Sequence, residues 1–124
     1  MKIEWIHQDN TRILYVDFRG AAREDAYTSL ISQVLQRFQE SPENLLVLYN
    51  FQDITFPPGV VEAIAGFAKT NGINPVKAAF VGMSKINVGL IIRLDRFLSD
   101  KTKRKLFQSE EEAKEWLALP PHTL

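Results

Sequence analysis

The hydrophobic period of the chain changes once within its first forty residues. Apolar and polar side chains alternate at residues 3–5 and again at 14–18, with turn-forming residues at 8–10 between them. A period of two is typical of strands with one buried face, so the pattern predicts an antiparallel hairpin. From residue 22 the apolar positions fall about four apart, which predicts an amphipathic helix ending before Pro42.

The most apolar strand-like run is Leu45–Tyr49, which contains no polar interruption. An unbroken run suits a strand covered on both faces, so we expect it in the middle of the sheet. The segment 50–59 follows, with Pro57 and Pro58 adjacent, and a helical pattern then extends from Val60 to Gly72. Proline suits a first helical turn because no backbone donor is needed there.

The second half of the chain repeats this alternation. Residues 76–81 form a strand-like run, and a third helical pattern extends from Lys85 to Leu98. The third helix is apolar well beyond one stripe, so it is either deeply buried or in contact with a partner. Residues 100–105 are a polar connector, and 105–107 make a short last strand.

A capping box opens the final helix. Ser109 precedes Glu112 by three residues, and Ala113, Trp116 and Leu117 are spaced to face inward. The element order β-β-α-β-α-β-α-β-α predicts a single α/β domain with a mixed, mainly parallel sheet flanked by helices. We assign residues 1–119 to this domain and residues 120–124 to a tail.

Composition narrows the functional classes. Fifteen basic and fifteen acidic residues give a net charge of zero, so no bulk attraction to nucleic acid is expected. The chain has no cysteine, which removes disulfides and thiolate chemistry, and no apolar stretch long enough for a membrane span. These features predict a cytoplasmic protein.

The best place for a binding site is the carboxyl end of the central strand, where ligands often sit in open α/β sheets. Asn50, Asp53 and Thr55 are polar residues at this point. Turn stabilisation by Asn50 and Asp53 explains the same residues equally well. At the next strand end, Ser84 and Lys85 allow an anion site, although Ser84 as a helix cap is the simpler explanation.

The sequence contains no recognisable catalytic or metal-binding set. His7 and His122 are the two histidines, and neither lies beside a nucleophile motif. Scattered carboxylates do not match metal-ligand spacing, so we predict no cofactor. An enzyme using Asp53 or Ser84 is the weakest alternative, since neither has a base beside it. The basic run 101–105 carries no aromatic residue, which favours a solvated connector over a nucleic-acid surface.

Two segments resemble the C-terminal half of the SpoIIAA-like, STAS-related proteins. They are 77–84, with the sequence KAAFVGMS, and 106–117, with the sequence LFQSEEEAKEWL. The pattern F-x-S/T-x-E-E-A-x-x-W-L is the more distinctive. The resemblance implies the STAS fold of sulfate-transporter and anti-sigma-factor-antagonist domains, which serve as regulatory or protein-interaction modules and in general lack catalysis.

In the antagonists of that family, the central strand leads into an Asp-Ser-Ser-Gly-like loop whose serine is phosphorylated by a partner kinase. Here Phe56-Pro57-Pro58-Gly59 occupies that place and contains no serine. Thr55 is the nearby hydroxyl, and we do not assign it the acceptor role. The resemblance therefore implies a relative without the usual phosphoswitch.

Two functions remain open from the sequence. The first is a non-enzymatic module that binds a protein partner or a second copy of itself. The second is a carrier of a small apolar or lipid-like ligand held between the sheet and helices, which the resemblance implies because a related branch of the superfamily is similar in topology to lipid-binding domains. The candidate binding residues are Asn50, Phe51, Asp53, Thr55, Phe56, Pro57, Pro58, Gly59, Ser84 and Lys85.

Overall fold

The N-terminal hairpin is present as the sequence predicts, but only its first strand has one buried face, because the second is buried on both faces at residues 13–17. In the computed structural model, which describes residues 2–20, 24–40, 44–52, 75–82, 88–89, 92 and 102–119, β1 (Lys2–Gln8) pairs antiparallel with β2 (Thr11–Asp17). Asp9 and Asn10 connect them with φ values of 51° and 66°. Two-residue hairpin turns with positive φ match the twist of the strands, and Asp and Asn tolerate that conformation.

The helix after the hairpin, α1, spans Glu24–Glu40. Its buried side chains include Leu30, Val34 and Phe38, which follow the four-residue spacing of the sequence pattern. The helix ends two residues before Pro42, as the pattern predicts.

The sheet has five strands in the order β1-β2-β3-β4-β5, with β3 at Leu46–Asn50, β4 at Lys77–Val81 and β5 at Lys103–Phe107. Every pair from β2 to β5 is parallel. The apolar run therefore lies in the middle strand, and the mixed, mainly parallel sheet is confirmed.

β5 is longer than the sequence indicates. Lys103 and Arg104 belong to the strand, although their charge placed them in the connector. β5 lies at an end of the strand order, where charged side chains reach solvent without leaving the ladder. The polar pattern therefore marks an edge strand rather than a loop.

The last helix, α2, spans Glu110–Ala118 and packs on one face of the sheet. The Ser109 side chain accepts a hydrogen bond from the Glu112 amide at 3.3 Å, which confirms the predicted cap. Ala113 and Leu117 are buried in a cluster with β2, β3 and β4 residues. Trp116 is only partly buried, against this cluster.

The other face of the sheet carries an aromatic cluster. Its members are Phe18, Tyr49, Phe51 and Phe80, and the contacting pairs have ring centroids 4.6–6.3 Å apart.

The predicted helix 60–72 lies outside the described residues. Of the predicted helix 85–98, residues 88, 89 and 92 are described, and they are helical.

Candidate functional site

The parallel strands bring their carboxyl ends to one edge of the sheet. In register, Asp17 lies beside Asn50, Asn50 beside Val81, and Val81 beside Phe107. Two further backbone bonds extend the pairing, from the Phe18 amide to the Asn50 carbonyl at 3.0 Å and from Phe51 to Val81 at 2.9 Å. This carboxyl edge is where the sequence places the binding segment.

The segments leaving β3 and β4 touch at Gly82. Gly82 has a φ of +76°, and a Cβ built on it would lie 2.6 Å from the Gln52 Cα and 2.7 Å from its nitrogen. No side chain fits in that space without displacing backbone. The start of the candidate segment after β3 is therefore fixed against the end of β4.

A network of three side chains crosses the carboxyl edge beneath this contact. The Tyr15 hydroxyl donates to Glu110 Oε1 at 2.6 Å. Asn50 Nδ2 donates to the same oxygen at 2.7 Å and to the Tyr15 hydroxyl at 3.2 Å. Asn50 Oδ1 in turn accepts from the Gln52 amide at 3.0 Å. The network joins β2, β3 and the first turn of α2.

The electrostatics of this network favour a neutral tyrosine. Burial, followed by the hydrogen bond to Glu110, raises the pKa of Tyr15 to about 12. The phenol therefore keeps its proton at neutral pH and donates it to the Glu110 carboxylate. Asn50 is 1% exposed and has partners on both ends of its amide, so the buried polar groups satisfy one another.

An ion pair lies beside the network at the end of β2. Arg19 Nε and Nη2 reach the two carboxylate oxygens of Asp17 at 3.0 and 2.8 Å, and the Arg19 amide donates to the same carboxylate at 2.9 Å. Burial acts to raise the pKa of Asp17, but the hydrogen bonds from Arg19 outweigh it and hold the pKa below its usual value. Asp17 is therefore ionised and paired.

The structure describes two of the ten candidate binding residues. Asn50 makes the turn contact to Gln52 that the structural interpretation predicts. Phe51 is 2% exposed and stacks on Phe18 at 4.6 Å, so its ring belongs to the core. The other candidates lie outside the described residues: Asp53, Thr55, Phe56, Pro57, Pro58, Gly59, Ser84 and Lys85.

Sequence reasoning did not identify Tyr15, Arg19 or Glu110 as part of this edge. Tyr15 fits the alternating strand pattern, and Glu110 fits a favourable charge at a helix N-terminus, so neither attracts attention alone. Tyr15 occupies a polar position of that pattern, where an exposed side chain is expected, so no local signal marks it as buried at this edge. Its partner is 95 residues away along the chain.

At the opposite edge of the sheet, formed by the amino ends of the parallel strands and called the amino edge here, the Lys77 side chain binds the C-terminal end of α2. The side chain is 0% exposed, and its Nζ donates to the carbonyls of Trp116 at 2.7 Å and Leu119 at 2.8 Å. Burial, with a contribution from Lys103, lowers the pKa of Lys77. Cations are favourable at helix C-termini, so Lys77 acts as a cap supplied by the sheet.

A pocket of about 430 Å³ adjoins this cap. Its lining combines apolar side chains with few polar ones, namely Thr11, Asn44, Leu46, Val76, Lys77, Leu117, Ala118 and Leu119. Lys77 is the charged residue among the described lining residues, and its Nζ donates to the carbonyls of Trp116 and Leu119.

The described residues contain neither a metal-binding cluster nor a helix that could span a membrane. No group of three or more His, Cys, Asp or Glu side chains is placed to hold a metal ion within those residues. None of the helices in the same part of the chain has the length and apolar content required to cross a bilayer.

Comparison with known proteins identifies the family. The family model described as SpoIIAA-like matches residues 13–118. A crystal structure of an uncharacterized protein of the DUF3478 family from Shewanella loihica PV-4, with a SpoIIAA-like fold, superposes with a TM-score of 0.66. That superposition covers 94% of this chain and 93% of the other at 11% identity, so it supports the fold alone. No curated protein matches the sequence. On the strength of the family model and this shared fold, the chain belongs to the SpoIIAA-like family.

Proposed function

We propose that the chain is a non-enzymatic, protein-binding module that recognises its partner through residues 53–59, the segment after β3. Recognition would not depend on the usual serine phosphoswitch, because Phe56-Pro57-Pro58-Gly59 contains no serine. The adjacent prolines restrict the chain before binding, which lowers the entropy lost on association.

The network at the exit of β3 is the observation that carries this proposal. Asn50 is held on one side by Tyr15 and Glu110 and holds Gln52 on the other, while Gly82 packs directly against Gln52. The segment therefore starts from a fixed backbone position. Fixed starting points favour recognition, because less disorder is lost when a partner binds.

The chemistry of the described groups supports binding rather than turnover. Tyr15 keeps its proton, the Glu110 Oε1 atom accepts two hydrogen bonds, and Asp17 is paired with Arg19. A general acid or base must exchange a proton near the working pH, and these contacts oppose that exchange in Tyr15 and Asp17.

The carrier function has less support among the described residues. A small apolar ligand held between the sheet and helices needs open space over a face of the sheet, and one such face is the aromatic one. There the Phe18 and Phe51 rings stack at 4.6 Å, and Tyr49 and Phe80 stack at 5.2 Å. Close aromatic packing fills this part of the sheet face.

The test is quantitative affinity capture from an extract of the source organism with the immobilised full chain. Three baits are compared, namely wild type, Phe56→Asp and the control Leu119→Asp. Leu119 is 46% exposed and lies at the amino ends of the strands, so its substitution introduces the same charge at the opposite end of the sheet from Gln52, after which the proposed segment begins. Circular dichroism verifies that each bait is folded.

A protein captured by wild type and by Leu119→Asp but lost with Phe56→Asp is then purified and titrated by calorimetry. We expect at least about a tenfold loss of affinity for Phe56→Asp, as for a truncated interface anchor. Pro57→Ala/Pro58→Ala should weaken binding by loosening the segment. Equal capture by all baits would contradict the proposal, as would turnover of a substrate that depends on residues 53–59.

A further inference from the structure

Glu110 differs from the other acidic residues of α2 in what its side chain contacts. Glu111, Glu112 and Glu115 are exposed, whereas Glu110 Oε1 lies 2.6 Å from the Tyr15 hydroxyl and 2.7 Å from Asn50 Nδ2. A favourable charge at the helix N-terminus does not require these contacts, since any of the first-turn carboxylates supplies it. The two bonds therefore indicate a separate role.

The orientation of the Asn50 amide depends on this carboxylate. Nδ2 donates one hydrogen to Glu110 and one to Tyr15, while Oδ1 accepts from the Gln52 amide at 3.0 Å. Rotating the amide by half a turn would place its oxygen against the carboxylate and its NH₂ against the Gln52 N–H. Both contacts are repulsive, and the side chain is 1% exposed, so no solvent compensates.

We propose that Glu110 is a positioning residue for the partner-binding segment: by fixing the Asn50 amide, it fixes the Gln52 amide from which that segment begins. The inference deepens the proposed function and rests on it for its biological meaning. Through this contact, the N-terminus of α2 sets the direction in which the chain leaves β3. A change in the position of α2 is then transmitted to the start of the segment through Asn50 and the Gln52 amide.

Amide hydrogen exchange of Gln52, measured by NMR on the free full chain, tests this positioning. Glu110→Ala removes the oxygen that accepts a hydrogen bond from Asn50 Nδ2. Loss of a hydrogen bond to a charged group corresponds to a factor of about ten or more, so amide exchange at Gln52 should accelerate by that factor. Glu111→Ala is the matched control, because it removes the same charge one position along the same helical turn. Its Gln52 exchange should match wild type.

Two further variants separate positioning from general destabilisation. Glu110→Gln keeps an oxygen in reach of both donors and should restore most of the Gln52 protection. Glu110→Asp keeps the charge but is shorter by one methylene, so it should lose protection, and it serves in place of Glu110→Ala if that variant does not fold. The Leu48 amide in β3 reports exchange by global opening.

Unchanged Gln52 exchange in the Ala and Asp variants would overturn the inference, as would an increase matched by the same factor at Leu48. Failure of the conservative Gln variant to restore protection would also contradict it. Because exchange is measured without any partner, a failed capture experiment removes the proposed function but leaves this readout unaffected.

Discussion

Position 82 has room only for a hydrogen atom on the α-carbon. The φ of +76° disfavours other residues, and an added Cβ would lie 2.6 Å from the Gln52 backbone. We expect Gly82→Ala to lower the free energy of unfolding by at least about 2 kcal/mol, from the left-handed backbone and the displaced neighbour together. Urea denaturation followed by tryptophan fluorescence measures it.

Gly89 provides the control for that substitution. It is helical and exposed, and an added Cβ meets nothing within 4 Å. Gly89→Ala should raise the free energy of unfolding by about 0.5–1 kcal/mol, because alanine loses less backbone entropy in a helix. Equal effects of the two substitutions would show that the close approach at Gln52 is unimportant.

The Asp17–Arg19 pair predicts a pH dependence of stability. The pKa of Asp17 is lowered in the folded chain, so its ionised form contributes stability above the unfolded pKa of about 3.9. That contribution is lost as the pH falls through the lower folded pKa. We expect the stability difference between wild type and Asp17→Asn to be full at pH 6 and to shrink on acidification below about pH 4.

Urea titrations across this pH range measure the difference. Glu115→Gln is the control, because it removes one negative charge from an exposed position on α2. A difference for Asp17→Asn that is constant with pH would exclude the ion pair as its source.

The sequence predicts one of the hydrogen bonds of Asn50 but not the others. Asn50 follows an apolar run and has turn chemistry, so its bond to Gln52 could be predicted from sequence. Its other bonds could not, because Tyr15 and Glu110 come from distant parts of the chain and each has an ordinary local explanation. The sequence alone therefore does not predict the polar network.

At the scale of the elements, α2 depends on its contacts with the sheet. It has nine residues, and a helix that short is unstable in isolation. Lys77 caps its last carbonyls from β4, and Glu110 joins its first turn to β2 and β3. We expect Lys77→Met to lower the free energy of unfolding by about 1–3 kcal/mol, because two carbonyls lose a charged donor.

Lys105→Met is the control for that substitution, since Lys105 is exposed on β5. Amide exchange across α2 adds a local readout, and it should accelerate at the C-terminal turn in Lys77→Met alone. If the free energy of unfolding of Lys77→Met equals that of wild type, water satisfies the Trp116 and Leu119 carbonyls as well as the lysine does.

Element boundaries were predicted best where the apolar pattern was strong. The run at Leu45–Tyr49 and the strand at Leu46–Asn50 differ by one residue at each end. β5 was predicted too short because its first residues are charged, and the local pattern does not distinguish an edge strand from a connector. Lys77 was overlooked because strand patterning gives no sign of a distant helix terminus.

At the scale of the whole molecule, the two edge strands of the sheet, β1 and β5, differ in the charge that they expose. β5 presents exposed Lys103 and Lys105, while β1 presents an exposed ion pair between Lys2 and Glu4 at 3.1 Å. Lysine on an edge strand opposes pairing with another sheet. Lys103→Val/Lys105→Val should therefore promote self-association, detected as larger species by light scattering coupled to gel filtration.

The control for this prediction is Arg37→Ala/Lys114→Ala, which removes two positive charges from the helices rather than from the sheet edge. We expect it to elute as wild type does. If both double variants associate equally, reduced net repulsion rather than an unprotected edge explains the effect.

The double attachment of α2 has a practical consequence for protein engineering. Lys77 and Glu110 anchor the two ends of the helix to the sheet. The side chains at positions 111, 112 and 115 are exposed, so they contribute little to holding the helix in place. Side chains that recognise a chosen target can therefore be introduced at those positions while the domain stays folded.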